Sequence, residues 1–280
     1  MKEKYLKVAE DKFTGKALEI VKEQIELFYD DDQEIIKTKY ETGDDVLLKK
    51  GTFMHGIFGM LDNFDFTLDN GFISVDFTEE NRQNKICNSV GFWNIQEDVL
   101  LKDYINEYSG ITLTYTIGRG PEAKEEQIMV PYHKFDEVVE KINNDENIWT
   151  YWGEKTKEVS FIPSLVSEKR QIAFILNTES EYAKKLLKND IWDPSLDYDI
   201  LEPFLDYRYY PKFKDIRLNR DKTTTDRESA IIFGLPACLI EGVFVGRKLE
   251  QDKKSLDYIK SRLKDCYICN LDGKVIIGNK

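Results

Sequence analysis

The chain opens on a helical repeat. In KALEIVKEQIELF, Leu18, Val21, Ile25 and Phe28 recur every three or four residues with charges opposite, which predicts an amphipathic helix. Asp30, Asp31 and Asp32 follow as a solvated acidic turn. From Asp45 the period shortens to two. DVLLKKGTFMHGIFG reads as a strand running into a Gly-flanked loop, and Asn70-Gly71 precedes a second strand in which Ile73, Val75 and Phe77 alternate with Ser74 and Asp76. ITLTYTI alternates more strictly, with Ile111, Leu113, Tyr115 and Ile117 on one face and Thr112, Thr114 and Thr116 on the other, as in a half-buried antiparallel strand. Phe135, Val138, Val139 and Ile142 form a short helical stripe, and Thr178 and Glu181 stand at capping-box spacing ahead of YAKKLLKN. Further on, ESAIIFGLPACLIEGVFVGR predicts two strands joined through Leu235-Pro236. KKSLDYIKSRL predicts a helix on Leu256, Ile259 and Leu263, and a last strand pair turns at Asp272-Gly273.

Strands outnumber long helices and do not alternate with them regularly, so the expected class is α+β, mainly antiparallel, with flanking helices. No Gly/Ser-rich or Pro-rich linker divides the chain and no internal repeat occurs. The expectation is one domain over residues 1–280, with a helical N-terminal extension at 1–44 and a helical insertion at about 120–205.

Charge narrows the partners. Across 280 residues, 40 Lys and Arg stand against 52 Asp and Glu, a net charge of −12, and this field repels nucleic acid and anionic membranes on average. The stretch from Tyr207 to Arg227 is a local exception, with seven basic residues against three acidic ones, interleaved with Tyr207, Tyr209, Tyr210 and Phe213. The longest nearly uncharged run, Ala230 to Gly246, is too short and too interrupted to cross a bilayer, and MKEKYLKVAEDKF holds no apolar export signal. The expectation is a cytoplasmic protein without a membrane partner. Of four cysteines, Cys266 and Cys269 are spaced Cys-x-x-Cys, but inside a strand and turn. With only His55 and His133 as imidazoles, the expectation is reduced, partly buried thiols and no metal, with metal or redox chemistry at the pair as the alternative.

Phosphate loops, a dinucleotide glycine fingerprint, a nucleophile elbow and an HExxH pair are all absent from the sequence. Paired carboxylates abound too generally to point anywhere. Three blocks stand out. His55-Gly56 ends a strand, where an imidazole projects while the glycine lets a ligand approach the backbone. Trp93 and Tyr104 flank a predicted helix in SVGFWNIQEDVLLKDYINEYSGITLTY and offer rings for stacking or for the core. Asp226-Arg227-Glu228 sets a carboxylate at the start of a strand, directly after the basic aromatic stretch.

In this order the blocks resemble the ADP-ribosyltransferase fold, in its His–aromatic–Glu branch of poly-ADP-ribose polymerases, RNA 2′-phosphotransferases and DNA-modifying bacterial toxins. The segments GFWNIQEDVLLKDYINEYSGITLTY and DRESAIIFGLP also resemble a widespread bacterial family of unknown function. The resemblance implies a split, mainly antiparallel sheet, NAD as substrate, and no metal. By position it places the nicotinamide ribose and amide on His55 and Gly56, ring stacking on Tyr104 or Trp93, the phosphates near Arg227, and the catalytic carboxylate on Glu228. The implied activity is transfer of ADP-ribose to a macromolecule, protein or nucleic acid, as by a toxin or phage-defence effector with an antitoxin or neighbouring defence protein as partner. A non-catalytic module binding a nucleotide or partner in the same cleft is the alternative, and a carboxylate hydrolase is a third reading.

Overall fold

A computed structural model describes residues 1–30, 35–57, 61–74, 77, 88–108, 110–117, 124–131, 140, 144, 148–149, 157–159, 172–191, 200, 204 and 228–280. The helices are α1 (Lys2–Lys12), α2 (Gly15–Phe28), α3 (Leu61–Asn70), α4 (Leu101–Tyr108), α5 (Glu181–Leu187), α6 (Arg247–Glu250) and α7 (Lys253–Arg262). In the first half the strands are β1 (Leu47–Leu48), β2 (Phe53–Ile57), β3 (Phe72–Ile73), β4 (Ser89–Asn94), β5 (Val99–Leu100), β6 (Gly110–Ile117) and β7 (Lys124–Pro131). They continue as β8 (Ile148–Trp149), β9 (Lys157–Val159), β10 (Ile172–Leu176), β11 (Glu228–Ile232), β12 (Gly234–Leu235), β13 (Ile240–Val245), β14 (Tyr267–Cys269) and β15 (Val275–Ile277).

The main sheet has seven strands in the order β11-β4-β2-β10-β13-β14-β15. All neighbours run antiparallel except β13 and β14, which are parallel and joined through α6 and α7. The mainly antiparallel α+β class read from the sequence is therefore the observed one. Alternation along the strands sorts side chains to two faces. On one, Phe53, Phe92, Ile172, Phe174, Leu176, Val243, Val245 and Ile268 form a core with Phe64 of α3, Tyr182 and Leu186 of α5, and Ile259 of α7. On the other, Met54, Ala173, Ile175, Phe244 and Tyr267 pack with Leu101, Tyr104 and Ile105 of α4. A separate sheet pairs β6 with β7, β8 and β9, all antiparallel.

Residues 1–28 are helical, as α1 and α2, and pack against the sheet. Ala17, Ile20, Val21, Ile25 and Phe28 of α2 are buried with Tyr5 and Ala9 of α1 against Ile232, Phe233, Phe77 and Phe204, a third core cluster at the β11 end of the sheet. Leu18 sits at the flank of this face. The fully buried Gln24 ties α2 to it: Nε2 donates to the carbonyls of Leu186 (3.2 Å) and Gly234 (3.3 Å), and Oε1 accepts from Asn189 Nδ2 (3.1 Å). A buried amide keeps all these partners because leaving any of them unpaired costs more than the bond returns.

Within 120–205 the described residues form β7, β8, β9 and β10 beside α5. The stripe on Phe135, Val138, Val139 and Ile142 lies outside the described residues. Helix α3 replaces part of the expected loop, β3 stops at Ile73, and Phe77 is helical. The α5 cap is Ser180, whose Oγ accepts from Ala183 N at 3.0 Å, while Thr178 Oγ1 donates to Gly51 O at 2.7 Å.

Residues 35–42 form an extended strap. Ile36 O accepts from Asn177 Nδ2 (3.0 Å), Thr38 Oγ1 donates to Glu241 Oε2 (3.1 Å), and Tyr40 exchanges bonds with Asn279 (2.9 and 3.1 Å). Beyond it, Gly43 N donates to Val275 O (2.7 Å) and Val46 N to Gly273 O (3.0 Å), so the outer edge of β15 is covered rather than left open to pairing. Glu241, 9% exposed, anchors the strap, and burial pushes its carboxyl above the usual range, against the lowering effect of Thr38 and Asn177. The fold thus holds this proton more tightly than the unfolded chain does. Its contribution to stability is fully present below the ordinary carboxylate range and is lost as pH rises through the folded value. Glu241→Gln keeps an acceptor oxygen and cannot ionise, so the variant should melt above the parent at neutral pH and converge with it in acid. Paired thermal melts across pH check this, and a variant less stable at neutral pH would show that the strap needs the carboxylate.

Candidate functional site

The three blocks singled out in the sequence, separated by up to 173 positions from His55 to Glu228, converge on adjacent strands β2, β4 and β11. Register then separates them. Met54 pairs with Trp93 and Trp93 with Glu228, so these three share one row across the sheet. His55 belongs to the neighbouring row, paired with Phe174 on β10, and neighbouring rows alternate between faces.

His55 therefore lies on the face of Phe92 and Phe174. Its ring is half-buried, 5.3 Å from both the Phe72 and the Phe92 rings, with Nδ1 2.8 Å from Gly91 O. A carbonyl only accepts, so Nδ1 carries the hydrogen, and in the neutral ring Nε2 is the acceptor. Tyr104 is 3% exposed, packed with Met54, Leu101 and Ile105, and acts as a core residue. Of the two aromatic candidates, Trp93 is the one with surface to offer; it is half-buried against the same cluster. Arg227 lies outside the described residues.

One residue along from the His55 row, Gly56 pairs with Ala173, and Gly91 with Ala230. On the face of Trp93 this sets small residues on neighbouring strands, with Gly91 exposed and Gly56 half-buried. Without Cβ atoms at Gly56 and Gly91, a flat group can approach the backbone closely. Trp93 stands two residues from Gly91 on β4, about 7 Å along the strand. Glu228 opens β11 in the Trp93 row. Of the residues chosen from sequence, Gly56, Trp93 and Glu228 are brought to rows of one face by strand register, and His55 is placed in the row between, bonded to the Gly91 carbonyl. Gly91 was missed. Its signal was a glycine inside the otherwise strand-like SVGFWN, which commonly marks close approach of a ligand or another backbone.

A concavity of about 220 Å³ lies between the ends of α2 and α3, lined by Phe28, Tyr29, Asp69, Gly71, Pro236 and Cys238. It shares none of the residues above. Among the described residues, no group of three or more His, Cys, Asp or Glu could hold a metal ion, and no helix is long and apolar enough to cross a membrane. Compared with family models, with curated proteins and with solved structures, the chain matches none.

Proposed function

We propose that this protein binds a nucleotide on the Trp93 face of the sheet, with NAD as the ligand implied by the sequence resemblance. The observation that carries the reading is the set of small residues Gly56, Gly91 and Ala230 near the half-buried Trp93 on three adjacent strands. A planar ring lies against backbone where the glycines leave room, with indole contact at its edge or face. The binding-module reading stands ahead of the transferase reading because His55 and the Glu228 row alternate across the sheet, whereas an imidazole and a carboxylate acting on one ribose must meet on one face.

NAD should raise the thermal midpoint, since a ligand held only by the native state shifts the folding equilibrium by mass action. Base–aromatic stacking contributes about 1–3 kcal/mol by alanine substitution, so Trp93→Ala should weaken NAD binding roughly 10- to 100-fold. Isothermal titration of both proteins measures it. No midpoint shift at NAD concentrations of about a millimolar, or equal affinity in the variant, would remove the reading.

A second reading is transfer of ADP-ribose to a macromolecule. It is supported by Glu228, which shares the Trp93 row, and by the separation of the four-stranded sheet around β6 from the seven-stranded one, which we read as the split core of the ADP-ribosyltransferase fold. Here Glu228 would stabilise positive charge developing on the ribose, and His55 would act as a positioning residue through the Gly91 carbonyl. Release of nicotinamide from NAD by the purified protein separates this reading from binding alone.

A further inference from the structure

We propose that Lys37 and Cys266 form a site of covalent modification, in which hydrogen peroxide drives a sulfur–nitrogen cross-link between the strap and the sheet. Lys37 Nζ lies 3.4 Å from Cys266 Sγ, across 229 positions of sequence. Ammonium groups ordinarily seek carboxylates or carbonyls, yet among the described residues Lys37 is directed at this sulfur and at no acid. Both partners are held from behind. On the strap, Asn177 holds Ile36 O and Glu241 holds Thr38, one residue to either side of Lys37. On the sheet side, Lys260 Nζ donates to the carbonyls of Lys264 (3.0 Å), Cys266 (2.9 Å) and Gly278 (2.9 Å), and Cys266 Sγ donates to Ile240 O (3.3 Å). Two reactive groups fixed this way react as one molecule rather than as two.

The chemistry closes without a further redox partner. The Cys266 thiolate attacks one peroxide oxygen: the S–O bond forms, the O–O bond breaks, and the departing hydroxide takes a proton to leave as water. Sulfur is oxidised by two electrons and peroxide is reduced, giving a sulfenic acid. The Lys37 amine, having released its extra proton, then attacks that sulfur. The S–N bond forms, the S–O bond breaks, and hydroxide leaves with a second amine proton as water. Overall one thiol, one amine and one hydrogen peroxide give a sulfenamide and two waters. An added thiol reverses it by attacking sulfur and releasing the amine.

Burial sets the pace. Cys266 is 1% exposed, and desolvation holds its thiol above the ordinary range despite Lys37 beside it, so peroxide reaches a reactive thiolate when the strap lifts. Cys238 is exposed and gives the internal comparison. Cys269 is fully buried with Sγ 3.6 Å from Val243 O, and among the described residues no such amine is bonded to it.

The test is peptide mapping of the whole chain after graded hydrogen peroxide. The expected product joins the Lys37 and Cys266 peptides, weighs two hydrogen atoms less than their sum, blocks tryptic cleavage after Lys37 and disappears on dithiothreitol treatment. It should be missing from Cys266→Ser and from Lys37→Arg, which keeps the charge. The proposal is overturned if Cys266 accumulates as sulfinic or sulfonic acid with Lys37 unmodified, or if Cys266 stays reduced at peroxide levels and times that carry the exposed Cys238 fully to sulfonic acid.

Discussion

Replacing Gly234 with alanine is expected to lower stability by more than about 4 kcal/mol, enough to leave much of the protein unfolded or insoluble. Gly234 has φ +141°, and a Cβ there would lie 1.7 Å from Phe72 O and 2.8 Å from Phe72 C. The clash is with backbone, so no rotamer relieves it. Nor can the partner strand retreat, since Phe72 and Ile73 are buried and the Phe72 ring packs against Phe92 (5.6 Å) and Phe174 (5.3 Å). Gly234 O also accepts from Gln24, so a shift here breaks the buried amide network of α2. The residue before it, Phe233, takes φ 64° while fully buried, with its ring 5.0–5.5 Å from those of Tyr5, Phe28 and Phe77. Together the two residues swing the chain out of β11 into β12, and the strain at Phe233 is held by the aromatic cluster around it. Urea denaturation of the soluble fraction gives the measurement. An unchanged midpoint would mean that the turn has a second conformation open to alanine.

Phe174→Ala is the other large effect, expected to cost about 3–5 kcal/mol. Phe174 sits on β10 in the middle of the sheet with no exposed surface, stacked on Phe64 of α3 (5.8 Å, 7°) and edge-on to Phe72 (5.3 Å, 83°). Truncation leaves a cavity bounded by two elements that cannot both close in, because β10 is hydrogen-bonded on both sides to β2 and β13. The denaturation midpoint should fall with the slope unchanged, since the extent of surface exposed on unfolding is the same. A loss below about 1 kcal/mol would mean that α3 moves freely to fill the space.

Local pattern was readable where one face alone decides it. The apolar stripe of α2, the strand over ITLTYTI and the Asp272-Gly273 turn each needed nothing from distant residues: α2 buries Val21, Ile25 and Phe28 with Leu18 at its flank, and the strand and the turn lie where they were read. Helix α3 was hidden because in LDNFDFTLDN the residues Phe64, Phe66 and Leu68 also alternate at strand spacing, and its Phe64 is made a core residue by strand β10, more than 100 positions later. The candidate site divides the same way. Composition and spacing could bring forward His55, Gly56, Trp93 and Glu228, but which of them share a face depends on register, and a shift of one residue moves a side chain to the other side. The pairing of Met54 with Trp93 is a long-range fact, and it places Trp93 with Glu228 and sets His55 apart.

The order of strands in the main sheet bears on how the molecule is made. β2 finds its neighbours in β4 and in β10, and β10 in turn needs β13, so segments from both halves of the chain interleave across the sheet. Pairings this distant carry a large loop-closure cost before any contact returns it, which slows folding. During synthesis, β10 cannot gain its second partner until residues 240–245 have left the ribosome, and β4 waits for residues 228–232. Until then β4 and β10 each keep one edge unpaired, and the core face carrying Phe53, Phe92 and Phe174 is only partly covered. The nascent chain should therefore depend on chaperones through most of its translation, and slowing the ribosome before residue 228 should lower the soluble yield rather than raise it.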